Sequence, residues 1–198
     1  MEYNGSTIKE WVGNSTIRAI RADLARFRHC GYNGFGSEGF WALFLYRMQR
    51  SVRSKRPKLL WVPLRIVIRI TKKLFTTITH MDIHPDAQVG PGLLIPHVGL
   101  LRIHGLTVIG ADCAIHHVCT IGAGPTPGGA TIGDHVMIGC HSSIIGPVQI
   151  GDYAVIGANS LVISDVPTGS TALGVPAKIY KSMPNSAVTA GKRLPVEL

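Results

Sequence analysis

The chain has 198 residues, of which 45% are hydrophobic, and a formal net charge of +9. This length suits one or two domains, and this hydrophobic fraction is enough for a sizeable core, which excludes whole-chain disorder. The most apolar stretch, residues 59–70, is broken by Pro63, Arg65 and Arg69, so we expect no membrane-spanning helix. The first residues lack the basic-then-apolar pattern of a signal peptide, and we expect none.

The charge is divided unevenly along the chain. Residues 1–80 hold 15 Lys and Arg against 4 Asp and Glu, a net charge of +11. Residues 81–198 hold 5 against 7, a net charge of −2. A basic segment beside a nearly neutral one indicates a polyanionic or membrane-surface partner. The alternative is that the basic residues form the solvated faces of helices.

The first 80 residues predict a small, basic α-helical domain. Apolar residues recur at helical spacing within residues 6–29, a glycine-rich loop follows over residues 30–39, and a further helical segment runs from residue 59 to about 78. Between them, residues 40–53 predict an amphipathic helix with Leu43 and Phe44 on its apolar face. We expect Arg47, Arg50 and Arg53 on or near the opposite side.

The second half carries a strict six-residue repeat. Isoleucine or valine stands at each of thirteen positions in this register, namely Ile83, Val89, Ile95, Ile103, Ile109, Ile115, Ile121, Ile132, Ile138, Ile144, Ile150, Ile156 and Val162. This period fits neither an α-helix nor a lone strand. It predicts a parallel β-helix with one short strand and one turn per hexapeptide, three hexapeptides per triangular coil and the aliphatic side chains inside.

Two irregularities interrupt the repeat. The step between Ile95 and Ile103 is eight residues, so two extra residues must bulge outward. The step between Ile121 and Ile132 is eleven, which extrudes a loop, AGPTPGGA, at residues 123–130. Irregular segments on a regular scaffold are where function concentrates. The pattern stops after Val162, so we expect the repeats to end near residue 163, the β-helix domain to span residues 81–180, and residues 181–198 to form a flexible tail.

The four cysteines are not spaced as a disulfide framework. Cys113 and Cys119 occupy inward repeat positions and predict buried thiols, while Cys30 and Cys140 stand elsewhere. Free thiols are typical of a reducing compartment, so we expect a cytoplasmic protein, with contact at the inner face of a membrane left open.

Several motifs together resemble one family. These are MDIHP at residues 81–85, PHVG at 96–99, HVCTIG at 117–122, TIGDHVMIG at 131–139 and GVPAKI at 174–179. They are similar to the serine acetyltransferases, a family of left-handed β-helix (hexapeptide-repeat) acyltransferases, and GFWALFLYR at 39–47 looks like that family's helical domain. The resemblance covers roughly residues 17–180 and implies a left-handed β-helix and an O-acetyltransferase that uses acetyl-CoA as co-substrate, with no metal.

The resemblance implies a catalytic pair. His97 lies in the two-residue bulge and matches the family's general base, while Asp82 matches the aspartate that orients it. A base is needed because an alcohol is a poor nucleophile at neutral pH, and neutral imidazole suits that proton. The alternative is that His97 is an ordinary surface histidine. His116 and His117 are candidates for acceptor binding, although for either one a plain surface role is the alternative.

The family's donor site maps onto the later coils. The positions carried over are Gly139, Cys140, Gly157, Ala158 and Lys178, where small residues let the pantetheine arm approach the backbone and the lysine faces a phosphate. Ordinary β-helix turn chemistry is the alternative, above all for the glycines. A groove between neighbouring prisms implies a homotrimer, to which the helical domain could add contacts between trimers. We expect no nucleic-acid partner.

Departures from the family concern the acceptor. Pro96 stands where the family has an aspartate, the extruded loop lacks the family's Arg-His-Pro, and no Asp-Pro occurs between Asp23 and Gly39. An amino-acid zwitterion would lose charge-paired anchors, each worth about 1.5–3 kcal/mol. We therefore favour a sugar hydroxyl of a surface polysaccharide or its precursor as acceptor, with L-serine as the alternative.

Two other function classes stay open at this point. A zinc-dependent carbonic anhydrase on the same fold needs three histidines, including a pair spaced H-x4-H, and no two histidines here are five residues apart. A non-catalytic trimeric scaffold, tethered through its basic domain, would explain the missing second histidine but gives His97, Asp82 and GVPAK no purpose.

Overall fold

The computed structural model describes residues 16–54 and 61–180. Three helices come first: α1 (Thr16–His29), α2 (Glu38–Ser54) and α3 (Val62–Thr79), with a short 3₁₀ turn (Gly34–Gly36) before α2. A proline in its first turn starts α3, because proline needs no hydrogen-bond partner there. The helix ends at His80, which has a left-handed φ of 57° and donates its N–H to the Thr76 carbonyl (2.9 Å).

Fourteen short strands follow α3 within the described residues. They are β1 (Met81–Ile83), β2 (Gln88–Val89), β3 (Leu101–Ile103), β4 (Val108–Ile109), β5 (Ala114–Ile115), β6 (Cys119–Gly122), β7 (Thr131–Ile132), β8 (Met137–Ile138), β9 (Ser143–Ile145), β10 (Gln149–Ile150), β11 (Val155–Ile156), β12 (Leu161–Val162), β13 (Thr171–Leu173) and β14 (Lys178–Tyr180). The predicted boundary at residue 80 falls where α3 ends and β1 begins. The predicted tail, residues 181–198, lies outside the described residues, as do residues 1–15.

The strands form three sheets, which are the faces of a triangular prism. The first sheet has the order β1-β3-β6-β9-β12, the second β10-β7-β4-β2 and the third β14-β13-β11-β8-β5. Neighbours pair in parallel, coil on coil, as in Ile121 with Ile144, apart from the antiparallel pair β13 and β14. All thirteen repeat aliphatics are buried, as are Cys113 and Cys119. The predicted β-helix and its inward register are confirmed.

The coil stack continues further than the repeat indicated. Val166 forms a bridge with Ile150, and β13 pairs in parallel with β11, so another turn of chain follows Val162. Val166 and Ala172 are buried inside it. The regular six-residue repeat does stop near residue 163, since the aliphatic step then shortens to four residues and the next inward position holds alanine, but the coils continue beyond it.

A buried ion pair joins the helices to the first coil. Arg47 of α2 is 6% exposed and contacts Asp23 of α1 (Nε to Oδ2, 3.0 Å), which is 1% exposed. The same guanidinium donates to the carbonyls of Val89 and Gly90, each at 2.6 Å, and the Gly92 N–H donates to Asp23 (2.9 Å). The prediction that Arg47 lies on or near the side opposite the apolar face was wrong, because its side chain is buried. Its partners lie in segments 24 to 43 residues away in sequence.

Among the described helices, none combines the length and apolar composition required to cross a bilayer. The helices instead pack through apolar side chains, with Phe27, Phe40 and Leu43 fully or almost fully buried beside the first coil.

Candidate active site

One edge of the prism gathers most of the predicted functional residues. Strands β5, β8 and β11 of the third sheet each lead through a short turn into β6, β9 and β12 of the first sheet. We call this edge the His97 corner: residues 96–100, 116–118, 139–142, 157–160 and 174–177. Backbone hydrogen bonds hold its layers together, from His141 N–H to the His117 carbonyl (3.2 Å) and from Asn159 N–H to the Cys140 carbonyl (2.9 Å).

His97 projects from this corner. Leu94 bridges to Ala114 in the third sheet, and β3 begins in the first sheet at Leu101, so the two extra residues lie in the turn between them. The His97 side chain is exposed there. The predicted bulge is therefore present, and it presents an imidazole to solvent at a fixed place on the coil.

Four rings form a row along the corner. The ring centroids of Tyr32 and His97 lie 6.1 Å apart, those of His97 and His117 5.9 Å, and those of His117 and His141 5.9 Å. Each contact is edge-to-face, with interplanar angles of 78–81°. The row brings a residue of the helical segment, Tyr32, against three successive coils.

Two neighbouring histidines are shielded from water. Burial lowers the pKa of His116 below its ordinary value, and the nearby His97 and His117 lower it further, so His116 is neutral at pH 7. The Nδ1 atom of His117 is buried without a hydrogen-bond partner among the described residues. The structure thus brings His97, His116 and His117 together, although their roles in acceptor binding stay predictions.

Asp82 has a different partner from the one predicted. Its carboxylate contacts Nζ of Lys72 on α3 at 3.2 Å, and Lys72 also donates to the Ile83 carbonyl (2.7 Å). Among the described residues of this one chain, no hydrogen bond joins Asp82 to His97. The orienting role of Asp82 stays a prediction.

Four of the five predicted donor positions lie on the His97 corner, and Lys178 lies beside it in β14. Gly139 and Cys140 follow β8, and Gly157 and Ala158 follow β11. Lys178, in β14, pairs with Leu173 of β13 in the third sheet, and its side chain is exposed. A Cβ at Gly139 would lie 2.6 Å from the Ala158 backbone nitrogen, so close packing of the coils alone requires glycine here. The side chains of Ala158 and Lys178, by contrast, are exposed.

The extruded loop lies at another edge of the prism. Residues 123–130 connect β6 of the first sheet to β7 of the second, whereas the His97 corner joins the third sheet to the first. Pro125, Thr126 and Pro127 are exposed, and the loop has no charged side chain. Within this chain, therefore, the loop and His97 do not share a site.

The other histidines have local contacts. His84 and His104 stack at 6.5 Å on the edge that carries the loop, and their Nδ1 atoms accept the N–H groups of Asp86 (3.2 Å) and Leu106 (3.3 Å). His135 stacks on Tyr153 at 4.7 Å. In the described part of the chain, no three His, Cys, Asp or Glu side chains come together in a group that could hold a metal ion.

Sequence reasoning missed two members of the ring row. His141 could have been found by counting coil turns, since it follows the β8 isoleucine by three residues and so falls on the same edge as His117. Tyr32 had no sequence signal, because its place depends on how the segment after α1 packs against the first coil.

Comparison with known proteins assigns the family. A family model described as bacterial transferase hexapeptide (six repeats) matches residues 129–164. The serine acetyltransferase of Helicobacter pylori (strain J99) is 37% identical over 143 residues, which cover 71% of this chain and 80% of that protein. The serine acetyltransferase of Mycobacterium tuberculosis is 33% identical over 135 residues, 66% of this chain and 59% of that one.

Solved structures agree with this assignment. Soybean serine acetyltransferase, as apoenzyme, matches with a TM-score of 0.70 and 30% identity over 87% of this chain and 72% of that one. A serine acetyltransferase in complex with CoA matches with a TM-score of 0.71 and 29% identity over 85% and 71%. The predicted left-handed β-helix and O-acetyltransferase class are confirmed. This chain belongs to the serine acetyltransferase family.

Proposed function

We propose that this chain transfers acetyl from acetyl-CoA to an alcohol, with His97 as the general base. The observation that carries the proposal is that His97 and four of the donor positions occur on one edge of the coil stack. An acetyl thioester held along that edge would lie beside an exposed imidazole, and a family relative has been solved in complex with CoA.

The chemistry needs only a positioned imidazole. His97 accepts the hydroxyl proton as the oxygen attacks the thioester carbonyl, and the proton then goes to the departing CoA thiolate. The edge-to-face contacts with Tyr32 and His117 restrict the His97 ring on two sides, which favours one orientation for proton transfer.

The complete site requires a second subunit in this proposal. The 123–130 loop and the His97 corner are on different edges of one prism, so a groove between two prisms is the arrangement that joins them. We infer a homotrimer with three such grooves, in which the helices add contacts between trimers. The free cysteines of the described residues suit the reducing cytoplasm, where we expect the reaction to take place.

L-Serine is the first candidate acceptor. The similar proteins from Helicobacter pylori and Mycobacterium tuberculosis are named serine acetyltransferases, and related structures were solved in complex with serine. This support outweighs the earlier preference for a sugar, because it comes from relatives that match most of the chain.

A neutral sugar hydroxyl is the second candidate, favoured by one feature of the site. The side chains in ring contact with His97 are Tyr32 and His117, and Pro96 precedes it where the family has a carboxylate. Asp23, an acid of the helical segment, is buried and bonded to Arg47, so it cannot accept an ammonium group. The charged anchors of an amino acid are therefore not evident within the described chain.

A direct competition assay tests both the activity and the acceptor. Purified protein receives acetyl-CoA with L-serine, with a panel of saccharides, or with both, and CoA thiol release and acetylated products are followed. Saturable formation of O-acetylserine would establish serine as the acceptor. Transfer to a saccharide with none to serine would establish the second candidate. An absence of CoA binding and of thiol release with every acceptor would refute the enzyme and favour a scaffold.

A further inference from the structure

The outer side of α3 is apolar and uncovered in the described chain. Its inner side packs through Ile68, which is buried, while five large aliphatic side chains on the outer side are each more than half exposed: Ile66, Val67, Ile70, Leu74 and Ile78. At 100° per residue these five fall within one broad face of the helix. An exposed apolar face of this size marks an interaction surface.

A basic stripe runs beside this apolar face. Arg65, Arg69 and Lys73 follow each other at intervals of four residues, which places them in one row along the helix. The row lies between the buried side and the apolar face, and α3 contains no Asp or Glu. In the sequence, residues 55–58 read KRPK and add to the basic charge of residues 1–80.

A small cleft between α2 and α3 opens at this stripe. Three guanidinium groups line it, from Arg53, Arg65 and Arg69, together with the side chains of Gln49, Val52 and Ile68. Arg53 also contacts Asp86 (3.1 Å), and Arg65 donates to the Val52 carbonyl (3.1 Å), so two of the three groups are held in place. Clustered guanidinium groups of this kind fit a phosphate oxygen.

We propose that α3 binds the surface of a membrane that contains anionic phospholipid. The apolar face inserts among the acyl chains near the headgroups, and the basic stripe with its cleft contacts lipid phosphates. The α3 helix of a second copy fits this face less well, because a two-fold contact between the helices would bring two basic stripes together without any acid on either helix. The helix lies on the bilayer and does not cross it, in keeping with its composition.

Vesicle binding by the purified full chain tests the proposal. Vesicles of phosphatidylcholine alone are compared with vesicles that also contain phosphatidylglycerol, and bound protein is measured by co-sedimentation at low and high salt. We expect anionic vesicles to bind at least about tenfold more protein, with the difference reduced by salt. Leu74→Glu, on the apolar face, and the double variant Arg69→Glu with Lys73→Glu should each lower binding by about tenfold or more.

Matched variants control for charge and exposure. Ile17 on α1 is 63% exposed, close to the 59% of Leu74, so Ile17→Glu should leave binding unchanged. Arg21→Glu, on the exposed side of α1, controls for loss of basic charge.

Equal binding to both vesicle types, or no loss of binding in Leu74→Glu, would overturn the proposal. A change of oligomeric mass in Leu74→Glu, measured by light scattering, would instead assign the face to contacts between copies. Acetyl transfer to a soluble acceptor should be the same in all four variants, which separates this test from the catalytic one.

Discussion

The coil stack and the helical segment are stabilised by different kinds of contact. In residues 81–180 one inward aliphatic per hexapeptide repeats the same contact, and each coil pairs with the next through parallel backbone hydrogen bonds. In the described helices, besides the packing of apolar side chains, a buried ion pair, Arg47 with Asp23, is bonded to the backbone of the first coil. The periodic region therefore distributes its stability over many equivalent contacts, whereas the non-periodic region depends more on individual contacts.

The largest expected effect comes from a residue of the coil stack and changes catalytic activity without changing stability. His97→Ala should lower turnover by about 10²–10⁴, the usual range for a positioned general base. Because the side chain is exposed in a bulge, its removal leaves no cavity, and the melting temperature and oligomeric state should not change. Steady-state kinetics with acetyl-CoA and thermal unfolding measure the two parts of this prediction.

His141→Ala is the matched control, since His141 is an exposed histidine of the same ring row that does not contact Tyr32. Its effect on turnover should be much smaller. Asp82→Asn should act in the same direction as His97→Ala, with a smaller loss. If His97→Ala keeps full activity, the base must be reassigned to His116 or His117, which lie on the same corner.

The next effect tests whether the ion pair is the link between the two regions. Arg47→Ala leaves the buried Asp23 carboxylate without its partner, which should lower the free energy of unfolding by about 3–5 kcal/mol. We expect urea unfolding to become biphasic, with the helical signal lost first and the β signal retained. Circular dichroism at wavelengths dominated by helix and by β structure distinguishes the two unfolding transitions.

Arg53→Ala serves as its control. Arg53 also forms an ion pair, with Asp86 at 3.1 Å, but both side chains are more than half exposed. Exposed pairs contribute about 0–1 kcal/mol, so unfolding should hardly change. Equal losses in the two variants would mean that the ion pair at Asp23 is not what joins the helices to the coils.

The two regions also differ in how far the sequence predicts them. The inward register from Ile83 to Val162 follows from the period alone, because each position repeats the same local requirement. Arg47 shows the opposite case. It was predicted on the side opposite the apolar face, but its burial depends on Asp23 and on the carbonyls of residues 89 and 90, which no local pattern connects to it.

The candidate site divides in the same way. His97 was singled out because it lies in a break of the period and matches a family motif, and the donor positions were carried over from the family's motifs onto turns of the coil; the roles of these residues stay predictions. Tyr32, and the pairing of Asp82 with Lys72, depend on how the helices dock onto the first coils, so they could not be predicted. Residues fixed by the repeat are predictable, whereas residues fixed by docking are not.

The smallest expected effect is a difference in the reactivity of the native cysteine thiols, and its measurement needs no substitution. Burial raises the pKa of Cys113 to about 12, so at pH 8 only about one molecule in 10,000 carries the thiolate that reacts. Cys30, in the segment after α1, is exposed. A maleimide should therefore label Cys30 in the native protein within minutes, while Cys113 and the buried Cys119 are labelled only on unfolding. Mass spectrometry of the digested protein measures the extent of labelling at each cysteine separately.

The labelling of Cys113 then reports on the coil stack by itself. Its Sγ lies inside the prism, 3.1 Å from the Gly133 carbonyl, so a reagent reaches it only when the coils separate. In Arg47→Ala at moderate urea, Cys113 should stay protected, since the repeated contacts of the coils do not depend on the helices. Rapid labelling of Cys113 under those conditions would show that the two regions unfold as one unit and that the coils are not stable without the helices.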